Sequence, residues 1–238
     1  MQTKSPRGQQ IWFKFYLEGR LLNDFENLYH ARGDYHSKIK ALTTYLAGLS
    51  GHLLKYANVS NDLGIDDKLI KTYIEILELM SIVKRLPAYL KNKSKSLAIT
   101  VPKLHLVDTG LACFLLGIKT QEQLVLSPHY GGLLETFIYM EFIKHSEWSM
   151  DPVSIYHFRD KQKSEVDLIL ERNDGKLWAI EIKASSTVTP DDFRNIAKFS
   201  AFAGSLFLGG IVFYSGHTVL TFSKNKTPLY ALPIGLFI

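Results

Sequence analysis

The sequence predicts an α/β (α+β) chain: a helical N-terminal part with a winged helix-turn-helix, followed by a mixed-sheet domain. Three observations predict it. Apolar residues recur at helical spacing through the first eighty residues. Two short helices around Gly64 and Asp66 are followed by strand-like runs that enclose a basic loop. The last hundred residues then mix short strands with helices.

In chain order, Gly8 to about Tyr29 reads as a helix, with Trp12, Tyr16, Leu17, Leu21, Leu22 and Phe25 on its apolar side. A boundary near Ala31-Arg-Gly-Asp34 closes a first segment, 1–35. A winged-helix segment, 36–108, opens with a helix from Ser37 to Leu49, for which Ser37 is the expected N-cap. Asn58–Gly64 is a short helix ending at glycine, and Asp66 caps the next, which runs to Met80. Leu69, Tyr73, Ile76, Leu77 and Met80 form the buried stripe of that helix.

Lys68 and Lys71 stand near its start, where a recognition helix meets DNA. Asp67, Glu75 and Glu78 oppose that reading and favour protein docking. Ser81–Tyr89 and Lys103–Val107 read as strands. From Lys84 to Lys103 there are six Lys or Arg residues and no acid. That loop fits a phosphate-contacting wing, and it equally fits a solvated basic hairpin. The nucleic-acid candidates are Lys68, Lys71, Lys84, Arg85, Lys91, Lys93 and Lys95.

A connector, 109–130, begins with the helix opened by Asp108-Thr-Gly-Leu111 and continues as a loop over Gly117–Pro128. The last segment, 131–238, holds a helix through Glu135. Strands Ser154–Arg159, Glu165–Leu170 and Lys176–Lys183 follow, then helix Pro190–Ala203 and strands Ile211–Tyr214 and Thr218–Phe222. Phe199–Ser223 carries no Asp, Glu, Lys or Arg, but Gly204, Gly209, Gly210 and Gly216 interrupt it, so no membrane span is expected.

The hairpin carries the chemistry. Period-two alternation sets Val166, Leu168 and Leu170 on one face, with Trp178, Ile180 and Ile182 opposite. Glu165, Asp167, Glu181 and Lys183 fall on the other face. If Asn173-Asp174-Gly175 form the loop, Arg172 pairs with Lys176, Asp167 faces Glu181 and Glu165 faces Lys183. A two-residue Asp174-Gly175 turn would instead bring Asp167 opposite Ile182. Two carboxylates this close repel unless a cation joins them, and a divalent ion with oxygen ligands is one answer. The other answer is a solvated outer face with an ordinary Glu165–Lys183 ion pair.

Composition sets the frame. Of 238 residues, 46% are hydrophobic and 21% charged, as in ordinary soluble globular proteins. The net charge of +5 mildly favours an anionic partner. Cys113 is the single cysteine, which excludes an internal disulfide and fits a reducing, cytoplasmic location. The histidines show no paired metal-ligand spacing, so zinc is not expected.

Asp167 with Glu181-Ile182-Lys183 resembles the PD-(D/E)XK nuclease superfamily, whose fold is called restriction-endonuclease-like. There an Asp on one strand faces an acidic-X-Lys triplet on the next, and many members add a Glu from a preceding helix; Glu135 matches that Glu. The resemblance implies Mg²⁺ or Mn²⁺ on Asp167, Glu181 and Glu135, with Lys183 at the attacking water and phosphate. The whole chain is similar to the C-terminal region, domain of unknown function 4143, of a bacterial and archaeal family of AAA-type ATP-binding proteins. The residues that carry this are Asn61-Asp-Leu-Gly-Ile65, Lys103-Leu-His-Leu-Val-Asp-Thr-Gly-Leu111, Leu133-Leu-Glu-Thr-Phe137, Glu165-Val-Asp-Leu168, Glu181-Ile-Lys-Ala-Ser185 and Tyr230-Ala-Leu-Pro-Ile234. The resemblance implies an attached or partner ATPase domain; the basic wing and the Asp167, Glu181 and Lys183 constellation point to DNA as a partner. No G-x-x-x-x-G-K-[ST] occurs here, so ATP is expected only through a separate N-terminal domain. Ser164 stands where the family pattern has Gly, and Gly19-Arg20 replaces its usual Arg-Asp pair. The expectation is thus a DNA-associated module with metal-dependent phosphodiester hydrolysis; the alternative is a catalytically inactive interaction or assembly module.

Overall fold

The computed structural model describes residues 5–29, 34–90, 98–223 and 227–237. The chain mixes helices and sheets, an α+β class, and divides into two compact units. One comprises residues 1–85 and 104–133, the other 86–103 and 134–238.

In the first unit, the N-terminal helix is α1 (Pro6–Phe15), a π-helical stretch (Tyr16–Leu21) and α2 (Leu22–Leu28). Leu17, Leu21 and Phe25 turn into the core. Then come α3 (Tyr35–Gly48), β1 (His52–Leu53), α4 (Tyr56–Leu63) and α5 (Asp67–Leu79). Asp34, rather than the expected Ser37, caps α3, since its carboxylate accepts the Ser37 amide; Ser37 lies inside the helix. Asp66 caps α5 by accepting from Lys68 and Leu69. Gly64 ends α4 at φ 64°, a left-handed conformation that costs glycine little. The core of this unit gathers Ile39, Leu42, Leu46, Ile70, Ile74 and Leu77. The strands β2 (Val83–Leu86) and β3 (Lys103–Leu106) complete a three-stranded sheet in the order β1-β3-β2. Helix α6 (Thr109–Leu115), capped by Asp108, follows as expected. The connector read as a loop contains a further helix, α7 (Gln121–Leu126), capped by Thr120.

In the second unit, α8 (Tyr130–Trp148) leads into β4 (Ser154–Arg159), β5 (Glu165–Glu171) and β6 (Leu177–Lys183). A 3₁₀ turn (Pro190–Phe193) and α9 (Arg194–Ala203) precede β7 (Phe207–Tyr214), β8 (Leu220–Thr221) and β9 (Leu229–Pro233). The six-stranded sheet has the order β4-β5-β6-β7-β9-β8. β6/β7 and β7/β9 are parallel, and the other pairs antiparallel. Ile138 and Tyr139 of α8 cover one face, against Leu168, Ile180 and Phe213. Ile196 and Phe199 of α9 cover the other, against Val166, Ile169, Ala179 and Val212. Burial on both faces accounts for the charge-free run through β7. α9 lies so close to β7 that a Cβ on Gly210 would stand 2.5 Å from Ile196. Among the described residues, no helix is long and apolar enough to cross a membrane.

Candidate functional site

The hairpin adopts the three-residue loop. Leu168 pairs with Ile180, Leu170 with Trp178, and the Arg172 amide donates to the Lys176 carbonyl. Gly175 takes φ 73° and its amide closes the turn on Arg172. This register aligns Asp167 with Glu181. The backbone ladder stops at Leu168 and Ile180, however. The Ile182 amide, which a continuing ladder would send to the Val166 carbonyl, donates to Asp167 Oδ2 at 2.9 Å instead.

A β-bulge causes this. Between Tyr156↔Ile169 and Phe158↔Val166, β4 advances two residues while β5 advances three. The extra residue flips the start of β5. Val166 therefore joins the α9-side core while Leu168 joins the α8-side core. The expectation that Val166, Leu168 and Leu170 share a face fails here, and with it the shared polar face. Glu165 turns to the α8 side, whereas Glu181 stays in line with Leu177 and Ala179 on the α9 side. Asp167 sits at the bulge between them.

What gathers the carboxylates is a lysine that the sequence reading passed over. Lys103 is only 1% exposed. Its ammonium lies 2.6 Å from Glu165 Oε1, 2.8 Å from Glu135 Oε1 and 3.5 Å from Asp167 Oδ1. Burial alone would lower the Lys103 pKa, but Glu135, Asp167 and Glu165 outweigh it and hold the ammonium charged. Arg159 Nη1 reaches the other oxygen of Glu165 at 2.6 Å, so the expected Glu165–Lys183 pair does not form. Burial raises Glu165, yet Lys103 and Arg159 keep its pKa below the usual range. His157 packs nearby with Nε2 3.0 Å from the Val101 carbonyl; burial and Lys103 push its pKa down to about 4, leaving it neutral.

Glu181 has a different setting. It is 3% exposed, and its Oε2 accepts from Lys183 Nζ at 3.1 Å. Its Oε1 is buried without a hydrogen bond of good geometry, although the Asn195 side chain of α9 comes close enough to the carboxylate to favour its ionised form. Burial, then repulsion from Asp167, pushes its pKa up to about 8. Burial likewise raises Glu135, to about 8, with Lys103 pulling the other way. Four carboxylates (Glu135, Glu165, Asp167, Glu181) face three cations (Lys103, Arg159, Lys183), so the fully ionised cluster is one negative charge in excess. One proton balances it, whereas a divalent ion turns it to one positive charge in excess.

Among the described residues, no group of three or more His, Cys, Asp or Glu side chains is arranged to hold a metal ion. Magnesium keeps most of its waters and needs only one or two carboxylates. The pair Asp167 and Glu181, with the buried Oε1, fits that donor set; Glu135 is committed to Lys103.

The other predicted residues lie apart from this cluster. Lys68 and Lys71 are exposed on α5 and Lys84 is half-buried. Arg85 is held inside its own unit: Nε donates to Glu78 Oε2 at 2.7 Å and Nη1 to the Tyr56 hydroxyl at 3.1 Å. Lys91, Lys93 and Lys95 lie outside the described residues. Lys103 left one signal in the sequence: it is the only charge in Leu97–Val107, and a lysine in so apolar a run needs a distant counter-ion.

A two-unit α+β chain with a buried ion cluster at a sheet bulge is what these residues define. Residues 1–122, just over half of the chain, match the family described as domain of unknown function DUF8612, and the chain belongs to that family. Residues 130–236 match the domain of unknown function DUF4143. Uncharacterized protein Rv2008c of Mycobacterium tuberculosis and Uncharacterized protein Mb2031c of Mycobacterium bovis are each 29% identical over 144 residues, 60% of this chain. The match spans 31% of those relatives' length. Among solved structures, a chain of the half-complex from the tetradecameric assembly of Thermococcus gammatolerans McrB AAA+ hexamers with bound McrC is 9% identical. Its TM-score is 0.35, over 81% of this chain and 47% of that one, and a likeness that small defines neither fold nor activity.

Proposed function

We propose that this chain is an ATPase-associated nucleic-acid module: a winged helix in the first unit and a restriction-endonuclease-like, metal-dependent phosphodiesterase site in the second. One observation carries the reading. Asp167 and Glu181 lie next to the last paired residues of the hairpin, Leu168 and Ile180, close enough for Asp167 to raise the Glu181 pKa, with a buried Glu181 oxygen lacking a well-formed hydrogen bond and Lys183 3.1 Å from the other. Asp167 and Glu181 would hold Mg²⁺ or Mn²⁺, which when bound supplies charge stabilisation at phosphorus and an acidified water. Lys183, half-exposed, has its ammonium free to turn from Glu181 to a phosphate oxygen. Ile182, by donating its amide to Asp167 Oδ2 at 2.9 Å, holds that carboxylate in its orientation.

The association with an AAA-type ATPase rests on the resemblance carried by the residue motifs. DNA contact rests on exposed Lys68 and Lys71 at the start of α5, which follows α4 as a recognition helix would. The competing reading, an assembly module, is favoured by Arg85, whose guanidinium is already taken by Glu78. Cleavage of single- and double-stranded DNA and of RNA with Mn²⁺, by the parent, Asp167→Asn and Lys183→Ala, tests the proposal. Cleavage by the parent alone, with Mn²⁺ binding retained in Lys183→Ala, supports it. A parent that neither binds Mn²⁺ nor cleaves any substrate leaves the assembly module as the reading.

A further inference from the structure

We infer that Lys103 is a resident cation: its ammonium fills the corner of the cluster between Glu135, Glu165 and Asp167, confining any divalent ion to the Asp167–Glu181 corner. Lys103 thus fixes both how many ions the cluster takes and which carboxylates hold them.

The geometry supports this directly. A lysine ammonium offers three N–H donors and no acceptor. Here three carboxylates stand around it, two of them within 2.8 Å, and it is 1% exposed. A magnesium ion draws its carboxylate oxygens to about 2.0–2.1 Å. The ammonium nitrogen already occupies the space those oxygens enclose, so an ion can enter this corner only by expelling Lys103.

The chain before Lys103 is tied down against β4. The segment before it docks along β4: the Ile99 amide donates to the Arg159 carbonyl at 2.8 Å, and Ala98 bridges Asp160. His157 Nε2 meets the Val101 carbonyl at 3.0 Å, two residues before Lys103. Charge agrees. Lys103 and Arg159 offset two of the three negative charges on Glu135, Glu165 and Asp167. The residual charge lies toward Asp167, which Lys103 touches least closely and which faces Glu181. The helical Glu135 that the motif would make a ligand serves here to hold a lysine.

The second half of the inference rests on the cation site proposed above; the first half stands without it, and calorimetric Mn²⁺ titrations separate the two. In the parent, one Mn²⁺ is expected. Glu181→Gln should weaken it by at least about a hundredfold, whereas Glu135→Gln, which touches the ion only through Lys103, should stay within about tenfold. Lys103→Met frees three carboxylates and should add a second Mn²⁺, which Glu135→Gln in the same background removes. If Lys103→Met folds only when Mn²⁺ is present, its melting in Mn²⁺ against EDTA reads the same event as a larger metal-dependent shift than the parent shows. Equal weakening by Glu135→Gln and Glu181→Gln in the parent would mean that Lys103 yields its place, and overturns the inference while sparing the metal site. A Lys103→Met variant with no more Mn²⁺ binding or metal-dependent shift than the parent also overturns it. No Mn²⁺ in the parent, but binding through Glu135 in Lys103→Met, sustains the resident cation and refutes the proposed function.

Discussion

Glu181→Gln should make the protein less sensitive to alkali. Glu181 is 3% exposed, and its pKa is raised from 4.5 to about 8 by burial and by Asp167. In the unfolded chain the carboxyl ionises at its ordinary value, while the folded protein retains the proton. Between about pH 4.5 and about 8 the folded state therefore binds more protons, so stability falls as pH rises through that window. At about 1.4 kcal/mol for each tenfold change in protonation, the loss from pH 5 to pH 8 is about 3 kcal/mol for this group. Glutamine has the shape of the protonated acid and cannot ionise. It keeps an oxygen for Lys183 and carries no charge to repel Asp167. The variant should match the parent near pH 5 and exceed it by about 2–3 kcal/mol near pH 8. Glu181 is the group to test because its nearest cation, Lys183, is half-exposed, whereas Glu135 sits 2.8 Å from a fully buried ammonium. Urea unfolding in EDTA at four pH values, followed by tryptophan fluorescence, measures the difference. A constant gap between the two stability curves across that range would falsify the assignment of the excess proton to Glu181.

Three further outcomes follow from the first unit. Replacing Lys68 and Lys71 by Ala should weaken DNA binding and reduce the slope of log affinity against log salt by about 2, with an unchanged slope pointing to protein docking. Arg85→Ala should instead cost about 1 kcal/mol in urea unfolding, because it strips Glu78 of its half-buried partner, and should leave the salt slope untouched. A Cβ on Gly132 would stand 2.2 Å from the Ser50 carbonyl oxygen, so Gly132→Ala should destabilise by more than about 2 kcal/mol; Gly131→Ala, which meets nothing within 4 Å, should be neutral or better by urea unfolding.

The elements that local signals define were legible from the sequence. Asp66, Gly64 and Asp108 mark helix ends by chemistry confined to a few residues, and each performs that role. The Asn173-Asp174-Gly175 loop set the hairpin register because Gly175 supplies the positive φ the turn needs. What escaped was long-range. β9 lies between β7 and β8 and pairs in parallel with β7, a partnership that no alternation within Leu229–Pro233 reveals. α7 is six residues long with none buried, so it has no apolar stripe to read. Asp34 took the cap expected of Ser37 because both residue types cap helices and the spacing between them is short.

The site divides along the same line. Asp167, Glu181 and Lys183 were legible because their relation is one hairpin's register. The bulge in β5 was not, since it arises from pairing with β4 on the far side, where His157 sits opposite the extra residue. That bulge separates Glu165 from Glu181, sending one toward α8 and the other toward α9. Had β5 stayed regular, four charges would have shared one face and needed a common counter-ion. With the bulge, each side carries its own: Lys103 and Arg159 for Glu135 and Glu165, Lys183 for Glu181. Asp167 alone belongs to both sides, which is why its oxygens divide between the Lys103 ammonium and the Ile182 amide. A carboxylate in that position links the two halves electrostatically. Charge brought to Glu181 is felt through Asp167 at a lysine 1% exposed to solvent, and the fold thereby couples a buried cation to a carboxylate that, among the described residues, is buried with an oxygen lacking a well-formed hydrogen bond.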